Sequence, residues 1–143
     1  MDKKVSRDDR TTALGLWTQA KSFASAADFL IDNGWEGPFD HPTYYLLGHA
    51  IELALKSFLR AKGKTPHDLW LLRHDLDAAL ELANSLGLPA SPVQRAAIHG
   101  LNLYYKAKEF EYIVTGYKEL PTLEILQECA DALISDVSAV ARQ

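Results

Sequence analysis

The segment from Pro42 to Gly63 constrains the fold more than any other part of the sequence. It reads as a helix that is apolar on nearly all sides, and its one narrow polar stripe, at spacings of three and four, consists of His49, Glu52, Lys56 and Arg60. A helix that is apolar nearly all round is normally buried by its neighbours. Pro42 suits the first turn of a helix, and Gly63 suits its C-terminal cap. We therefore predict a buried central helix over roughly residues 42–62.

Helical periodicity covers most of the remaining sequence, and no strand pattern longer than a few residues interrupts it. Four further helices are predicted, with approximate limits 11–31, 75–87, 92–110 and 121–140. The start at Ser91 is the clearest, because Ser91 can cap the helix, Pro92 suits its first position and Gln94 completes a capping box. The segment 64–73 contains Pro66 and is predicted to be a linker.

These patterns predict an all-α fold, an antiparallel, up-and-down bundle of about five helices. A length of 143 residues favours one domain, and a content of 48% hydrophobic and 24% charged residues is ordinary for a globular protein. We expect residues 1–10 to be a frayed N-terminal segment and residues 11–143 to form a single domain. Cys129 is the only cysteine, which fits a reducing cytoplasm. No apolar run approaches the length of a membrane span, so no membrane partner is predicted.

The net charge is −4, but the charges are distributed unevenly. Five basic residues and one acidic residue lie between Lys56 and Arg73, whereas five acidic residues and no basic residue lie between Glu119 and Asp136. Two interpretations stay open for the basic segment: a solvated face of the bundle, or a basic rim around an anion-binding site.

Glu52 and Lys56 are the first candidates for a functional role. They are four residues apart on an otherwise apolar helix and can therefore pair. A buried carboxylate must be paired or neutral, so the pair either fixes the packing or lines a pocket. His74 could reach Glu52 or cap the next helix, and Asp75 is a plausible N-cap. We predict an interior polar network of Glu52, Lys56, His74 and Asp75, although His67, in a second His-Asp-Leu motif, could replace His74.

The second group of candidates lies on the predicted helix after Ser91. His99 could transfer protons near neutral pH, and Arg95, one turn away, could hold a phosphate. Such a pair is the minimum for metal-independent RNA cleavage, although it also occurs on ordinary solvated helix faces. The same region offers candidates for contacts with a phosphate or a base, namely Asn102, Lys106, Lys108 and Tyr112. No metal-binding spacing and no phosphate-binding glycine loop is present, so neither a metal nor a cofactor is predicted.

Several short motifs together resemble the HEPN superfamily (higher eukaryotes and prokaryotes nucleotide-binding domain). They are the run Gly48-His49-Ala50-Ile51-Glu52-Leu53-Ala54-Leu55-Lys56-Ser57-Phe58-Leu59, then Gly63, then His74-Asp75-Leu76, and then Glu109-Phe110-Glu111-Tyr112. The resemblance implies a helical bundle, frequently a homodimer, in prokaryotic toxin–antitoxin or defence systems. Many members of the superfamily are metal-independent ribonucleases with an Arg…His motif.

This sequence departs from that motif. Only three residues separate Arg95 from His99, and the residue after Arg95 is Ala96 rather than a polar residue. The leading hypothesis is therefore a non-catalytic HEPN-like domain that binds a nucleotide, RNA or a protein partner such as a cognate antitoxin. One alternative is a metal-independent endoribonuclease, a toxin, that uses Arg95 and His99 as catalytic residues. Another is a structural module that mediates homodimerisation.

Overall fold

The computed structural model describes residues 10–34, 40–110 and 119–143. These residues form a helical bundle, so the all-α fold class is confirmed. The six helices of the described chain are α1 (Ala13–Asp32), α2 (His41–Ala61), α3 (Pro66–Leu71), α4 (Leu76–Ser85), α5 (Pro92–Tyr105) and α6 (Leu123–Ala141). Residues 1–9, predicted to be frayed, and Tyr112, a predicted ligand contact, lie outside the described residues.

The central position predicted for the second helix is confirmed, because α2 contacts each of the other five described helices. Its core side chains recur every four residues, and those of Leu47, Ile51, Leu55 and Leu59 are fully buried. Burying a leucine or isoleucine side chain contributes roughly 1.5–3 kcal/mol. The hydrophobic effect therefore places α2 in the middle of the bundle. The polar stripe of α2 finds its partners on α5 and in the segments that flank or connect the helices.

Hydrogen bonds between helices show how α1 runs relative to its neighbours. Near the start of α1, the carbonyl oxygen of Ala13 accepts a hydrogen bond at 2.7 Å from Ser57, which is near the end of α2. Near the end of α1, Asp28 accepts one at 2.6 Å from Gln127, which is near the start of α6. Helix α1 is therefore antiparallel to both α2 and α6.

The linker predicted over residues 64–73 is wrong, because part of it forms α3. Thr65 accepts a hydrogen bond from the amide of Asp68, and the Asp68 carboxylate accepts one from the amide of Thr65, which completes a capping box. Pro66 stands in the first turn of this helix. Proline interrupts a helix interior but suits a helix start, and the sequence interpretation considered only the first of these roles.

The end predicted near residue 110 for the helix that starts after Ser91 is also wrong, because this helix, α5, ends at Tyr105. A Schellman motif follows, in which the amide of Glu109 donates to the carbonyl of Tyr104 and the amide of Lys108 donates to that of Tyr105. Lys108 adopts the left-handed conformation, with φ of 60°, that this motif requires. A glycine normally marks such a position, so a lysine there gave no signal of a helix end.

Candidate functional site

Glu52 is a buried carboxylate at the centre of the polar network. Only 4% of its surface is exposed, and three side chains donate hydrogen bonds to it. Lys56 Nζ lies 2.9 Å from Oε2, while His74 Nδ1 and the hydroxyl of Tyr105 lie 2.9 and 2.7 Å from Oε1. The structure thus brings Glu52, Lys56 and His74 together, and His74 is the histidine that contacts the central helix.

The charge state of Glu52 determines the direction of its hydrogen bond with His74. Burial would raise the pKa of Glu52, but the charge of Lys56 and the hydrogen bonds from His74, Tyr105 and Lys56 outweigh burial and lower the pKa. The carboxylate is therefore ionised at neutral pH and can only accept hydrogen bonds. His74 must donate through Nδ1, which leaves its Nε2 atom on the side away from Glu52.

Gly48 allows Tyr105 to reach Glu52. A Cβ atom at position 48 would lie 2.5 Å from Cδ2 and 2.7 Å from Cε2 of Tyr105, well inside van der Waals contact. The ring of Tyr105 is buried and packs directly against the backbone of α2 at this point. The glycine therefore allows α5 to approach α2 closely enough for the hydroxyl of Tyr105 to bond the carboxylate.

Lys56 connects the buried network to the loop between α3 and α4. Besides bonding Glu52, its ammonium group donates to the carbonyl oxygen of Arg73 at 2.6 Å. Arg73 adopts a left-handed backbone conformation, with φ of 50°. The next residue in this loop is His74, whose side chain is 37% exposed. Lys56 therefore fixes the loop that presents both Arg73 and His74 to solvent.

A cleft of about 430 Å³ opens beside this loop. Its charged lining consists of one carboxylate, Asp75, and a set of basic side chains: Lys56, Arg73, His74, Lys106 and Lys108. The apolar part of the wall includes Trp70 and Leu71 of α3. Of the residues predicted for the polar network and for ligand contacts, the cleft brings together Lys56, His74, Asp75, Lys106 and Lys108.

Asp75 belongs to the helix junction as well as to the cleft. It is the N-cap of α4 and accepts a hydrogen bond from the amide of Ala78. Burial would raise the pKa of Asp75, but the bonds from Ala78 and Asn102 and the nearby charge of Lys106 lower it. The Nζ atom of Lys106 lies 3.4 Å from the carboxylate. Asp75 therefore neutralises part of the positive charge of the cleft.

Asn102 is buried between α4 and α5 rather than facing the cleft. Its side-chain oxygen accepts a hydrogen bond at 2.9 Å from the amide of Leu76, the first residue of α4. Its side-chain nitrogen donates to Asp75 and Asp77 at 3.1 and 3.0 Å. These contacts satisfy an unpaired amide at the start of α4, so the geometry gives Asn102 a packing role.

The pair Arg95 and His99, predicted as a catalytic site, does not line this cleft. Arg95 forms an ion pair with Glu81 and donates a second hydrogen bond to Asn84 at 2.7 Å. His99 Nδ1 lies 2.9 Å from a carboxylate oxygen of Asp77. All three partners lie on α4, so both side chains are engaged in contacts that join α5 to α4.

Sequence reasoning did not single out Arg73 as a site residue, and it missed the apolar wall formed by Trp70, Leu71 and Leu72. Arg73 belongs to the basic segment that predicts a possible rim around an anion site, so its charge is a signal in the sequence. Trp70 gave none, because its segment was assigned to a linker. Its exposed position depends on α3, whose capping box was not recognised.

Comparison of the chain with models of protein families, with curated proteins and with solved structures finds no match in any of the three. None of the helices in residues 10–34, 40–110 and 119–143 is long and apolar enough to cross a membrane. Within the same residues, no group of three or more His, Cys, Asp or Glu side chains is arranged to hold a metal ion.

Proposed function

We propose that this protein is a HEPN-like, non-catalytic domain that binds a phosphate group of a nucleotide or of RNA in the cleft beside α3. The observation that carries the proposal is the composition of the cleft wall. Three lysines, one arginine and one histidine line it, against one carboxylate, in a chain whose net charge is −4. A concave surface of one sign attracts ligands of the opposite sign.

The four cations differ in how much charge they offer to a ligand. Glu52 neutralises Lys56, and Asp75 partly neutralises Lys106. Within the described residues, Arg73 and Lys108 form no ion pair with a carboxylate. Arg73 and Lys108 are therefore the side chains best placed to hold a phosphate, and the planar guanidinium of Arg73 can bind two phosphate oxygens at once.

The backbone at Arg73 and Lys108 gives independent support. Both residues adopt left-handed conformations, with φ of 50° and 60°. A residue other than glycine in this conformation is destabilised by about 1 kcal/mol or more, and such residues cluster at functional sites. Glycine occupies the other positive-φ positions of the described residues, 34, 63 and 87. Two basic residues where glycine would be more stable, both lining one cleft, fit a role for their charges.

The direct test uses Lys108→Gly, because this change removes the charge without harming the fold. We expect its affinity for AMP and for a short RNA oligonucleotide to fall about tenfold, the loss of one charge-assisted contact. The free energy of unfolding should stay unchanged or rise by up to about 1 kcal/mol, because glycine tolerates the left-handed conformation. Binding is measured by titration at low and at high salt, and stability by denaturant unfolding.

Two control variants make this test specific. Lys108→Ala should lose the same affinity as Lys108→Gly but without the gain in stability. Lys21→Ala, which removes a lysine that lies over Trp17 on α1, should leave binding unchanged. Full affinity in Lys108→Gly, or affinity that does not fall with added salt, would rule out the cleft as the phosphate site.

A second candidate function is a metal-independent endoribonuclease, and the hydrogen bond from His74 to Glu52 is the observation that favours it. A carboxylate that orients a histidine is the usual support for a general base, and the Nε2 atom of His74 has no hydrogen-bond partner within the described residues. Catalysis by Arg95 and His99 would instead require both side chains to leave their partners on α4.

RNA incubated with the protein in EDTA distinguishes these possibilities. Intact RNA with the wild type supports the non-catalytic proposal. Cleavage that His74→Ala abolishes and His99→Ala preserves would assign a ribonuclease to the cleft. Cleavage that His99→Ala abolishes and His74→Ala preserves would assign the ribonuclease activity to Arg95 and His99.

The remaining expectations from the resemblance concern partners and location. A homodimer, a cognate antitoxin, a defence context and a cytoplasmic location stay predictions. Large apolar side chains exposed on two helices, Phe29 on α1 and both Val93 and Leu103 on α5, offer surface for such contacts. Light scattering of the purified chain measures whether it forms a dimer, the property on which the hypothesis of a homodimerisation module depends.

A further inference from the structure

Trp70 is a large aromatic residue whose side chain is exposed to solvent. It lies on α3 at the edge of the cleft, and 58% of its surface is exposed. Burial of an aromatic side chain is strongly favourable, and the neighbouring Leu69 is buried in the core. An indole ring held at the surface directly beside a cationic cleft is therefore a candidate for contact with a ligand.

Two other planar groups lie against Trp70 and orient it. The ring of His67 stacks near it, with centroids 5.9 Å apart and an interplanar angle of 20°. The guanidinium of Arg73 lies 4.8 Å from the centroid of the indole. His67 precedes Trp70 by three residues and Arg73 follows it by three, so the imidazole, indole and guanidinium groups form one cluster at the surface. Planar groups of these kinds are the ones on which nucleic-acid bases stack.

Rigid elements on both sides support the cluster. The capping box between Thr65 and Asp68 fixes the start of α3, and Leu69 anchors the helix in the core. On the other side, Lys56 holds the carbonyl of Arg73 at 2.6 Å. Trp70 is thus presented by an ordered helix, so a flat ligand would meet a surface that is already formed.

Trp70 and Lys56 line two adjoining cavities. One is the cationic cleft of about 430 Å³ described above. The other, of about 530 Å³, is lined by leucines of three helices together with the polar side chains of Thr11, Glu52 and His67. The site therefore offers a group of cations on one side of the indole and a mixed surface of apolar and polar side chains on the other. A ligand with a charged end and a flat, weakly polar end would match both sides.

We propose that the ligand is a nucleoside phosphate whose base stacks on the indole of Trp70 while its phosphate lies among Arg73, Lys106 and Lys108. This inference rests on the phosphate site proposed above and adds a subsite for the base. The nucleoside phosphate is either a free nucleotide or one unit of a single-stranded RNA, since both have the same chemistry at this site.

The test compares two ligands that share a phosphate and a ribose but differ in the base. AMP and ribose 5-phosphate are titrated into the wild type, Trp70→Ala and Trp70→Phe. We expect Trp70→Ala to bind AMP about tenfold more weakly and ribose 5-phosphate as well as the wild type does. Trp70→Phe, which keeps an aromatic face, should retain most of the affinity for AMP. Because Trp70 is exposed, neither variant should lose stability.

Fluorescence gives a second readout. Stacking of a base should quench the emission of Trp70, and Trp70→Phe measures the background from Trp17 and Trp35. An oligonucleotide that binds more tightly than AMP and depends on Trp70 would assign the base to an RNA strand, whereas equal affinity would assign it to a free nucleotide.

The outcomes separate this inference from the phosphate site. Unchanged binding of AMP in Trp70→Ala, while Lys108→Gly still weakens it, would overturn the base subsite alone. Equal losses for AMP and ribose 5-phosphate in Trp70→Ala would also overturn it, because Trp70 would then only shape the cleft. No binding of AMP or of RNA by the wild type would overturn the phosphate site itself.

Discussion

Glu52 lies where the core of the bundle meets the cleft. It sits on the most buried helix, yet two of its three donors, Lys56 and His74, also line the cleft. The carboxylate therefore has two effects. It offsets the charge of Lys56, and it fixes the side chain of His74, so removing its charge should affect both the stability of the fold and the shape of the site.

We predict that Glu52→Gln lowers the free energy of unfolding at neutral pH by about 3 kcal/mol, because it leaves the largely buried ammonium of Lys56 without its counter-ion. The matched control is Glu81→Gln, which removes a carboxylate that is 63% exposed and pairs with Arg95. An exposed pair contributes about 1 kcal/mol or less. Denaturant unfolding measures both variants, and equal losses would show that Glu52 is effectively solvated.

The same comparison has a defined pH dependence. Folding lowers the pKa of Glu52 from its usual 4.5, so its contribution to stability is present above pH 4.5 and is lost as the pH falls through the lowered value. The difference in stability between the wild type and Glu52→Gln should therefore shrink as the pH drops below 4.5. A difference that stays constant or grows in acid would contradict the ionised state assigned to Glu52.

The pairing of Glu52 with Lys56 could be predicted from the sequence, because both residues stand four apart on one apolar helix. The bond from Tyr105 could not be predicted, because it depends on how closely α5 approaches α2. That approach is set by tertiary packing at Gly48, where the sequence shows only a glycine inside a helix. For the same reason, the contacts of Arg95 and His99 with α4 could not be read from the spacing on α5.

At the scale of elements, the helix starts were predicted better than the ends. The capping box at Ser91 and Gln94 is confirmed, because both of its hydrogen bonds are present. A start is encoded by local side-chain chemistry, which the sequence displays directly. The end of α5 instead depends on a lysine in the left-handed conformation. Helix α3 was missed because proline favours the first turn of a helix but interrupts a helix interior, and Pro66 was assigned only the second effect.

Gly48→Ala tests how tightly α2 and α5 pack. Alanine is favoured over glycine inside a helix by about 1 kcal/mol, yet we predict a loss of stability of about 2 kcal/mol, because the new Cβ would overlap the buried ring of Tyr105. In a Tyr105→Ala background the same change should become stabilising, because the overlap is gone and only the helix preference remains. Thermal unfolding of the four proteins measures this cycle, and stabilisation in the wild-type background would contradict the close contact.

At the scale of the whole molecule, the fold follows from hydrophobic periodicity, while the site follows from which charged residues the fold gathers. The all-α bundle and its central helix were predictable because each helix carries its own apolar stripe. The cleft was only partly predictable, since Lys108 is far in sequence from the basic segment that contains Lys56 and Arg73. The sequence displays a basic stretch near Lys56, but only the packing of α3 and α5 against α2 places these charges around one cavity.

The central claim is that phosphate binds in the cleft beside α3 and not at the pair of residues on α5. Backbone amide chemical shifts, recorded by NMR during a titration with AMP, test this claim residue by residue. We predict saturable shifts centred on Arg73, His74 and Lys108, with Arg95 and His99 unmoved. Shifts centred on Arg95 and His99, or a spectrum that AMP leaves unchanged, would contradict it.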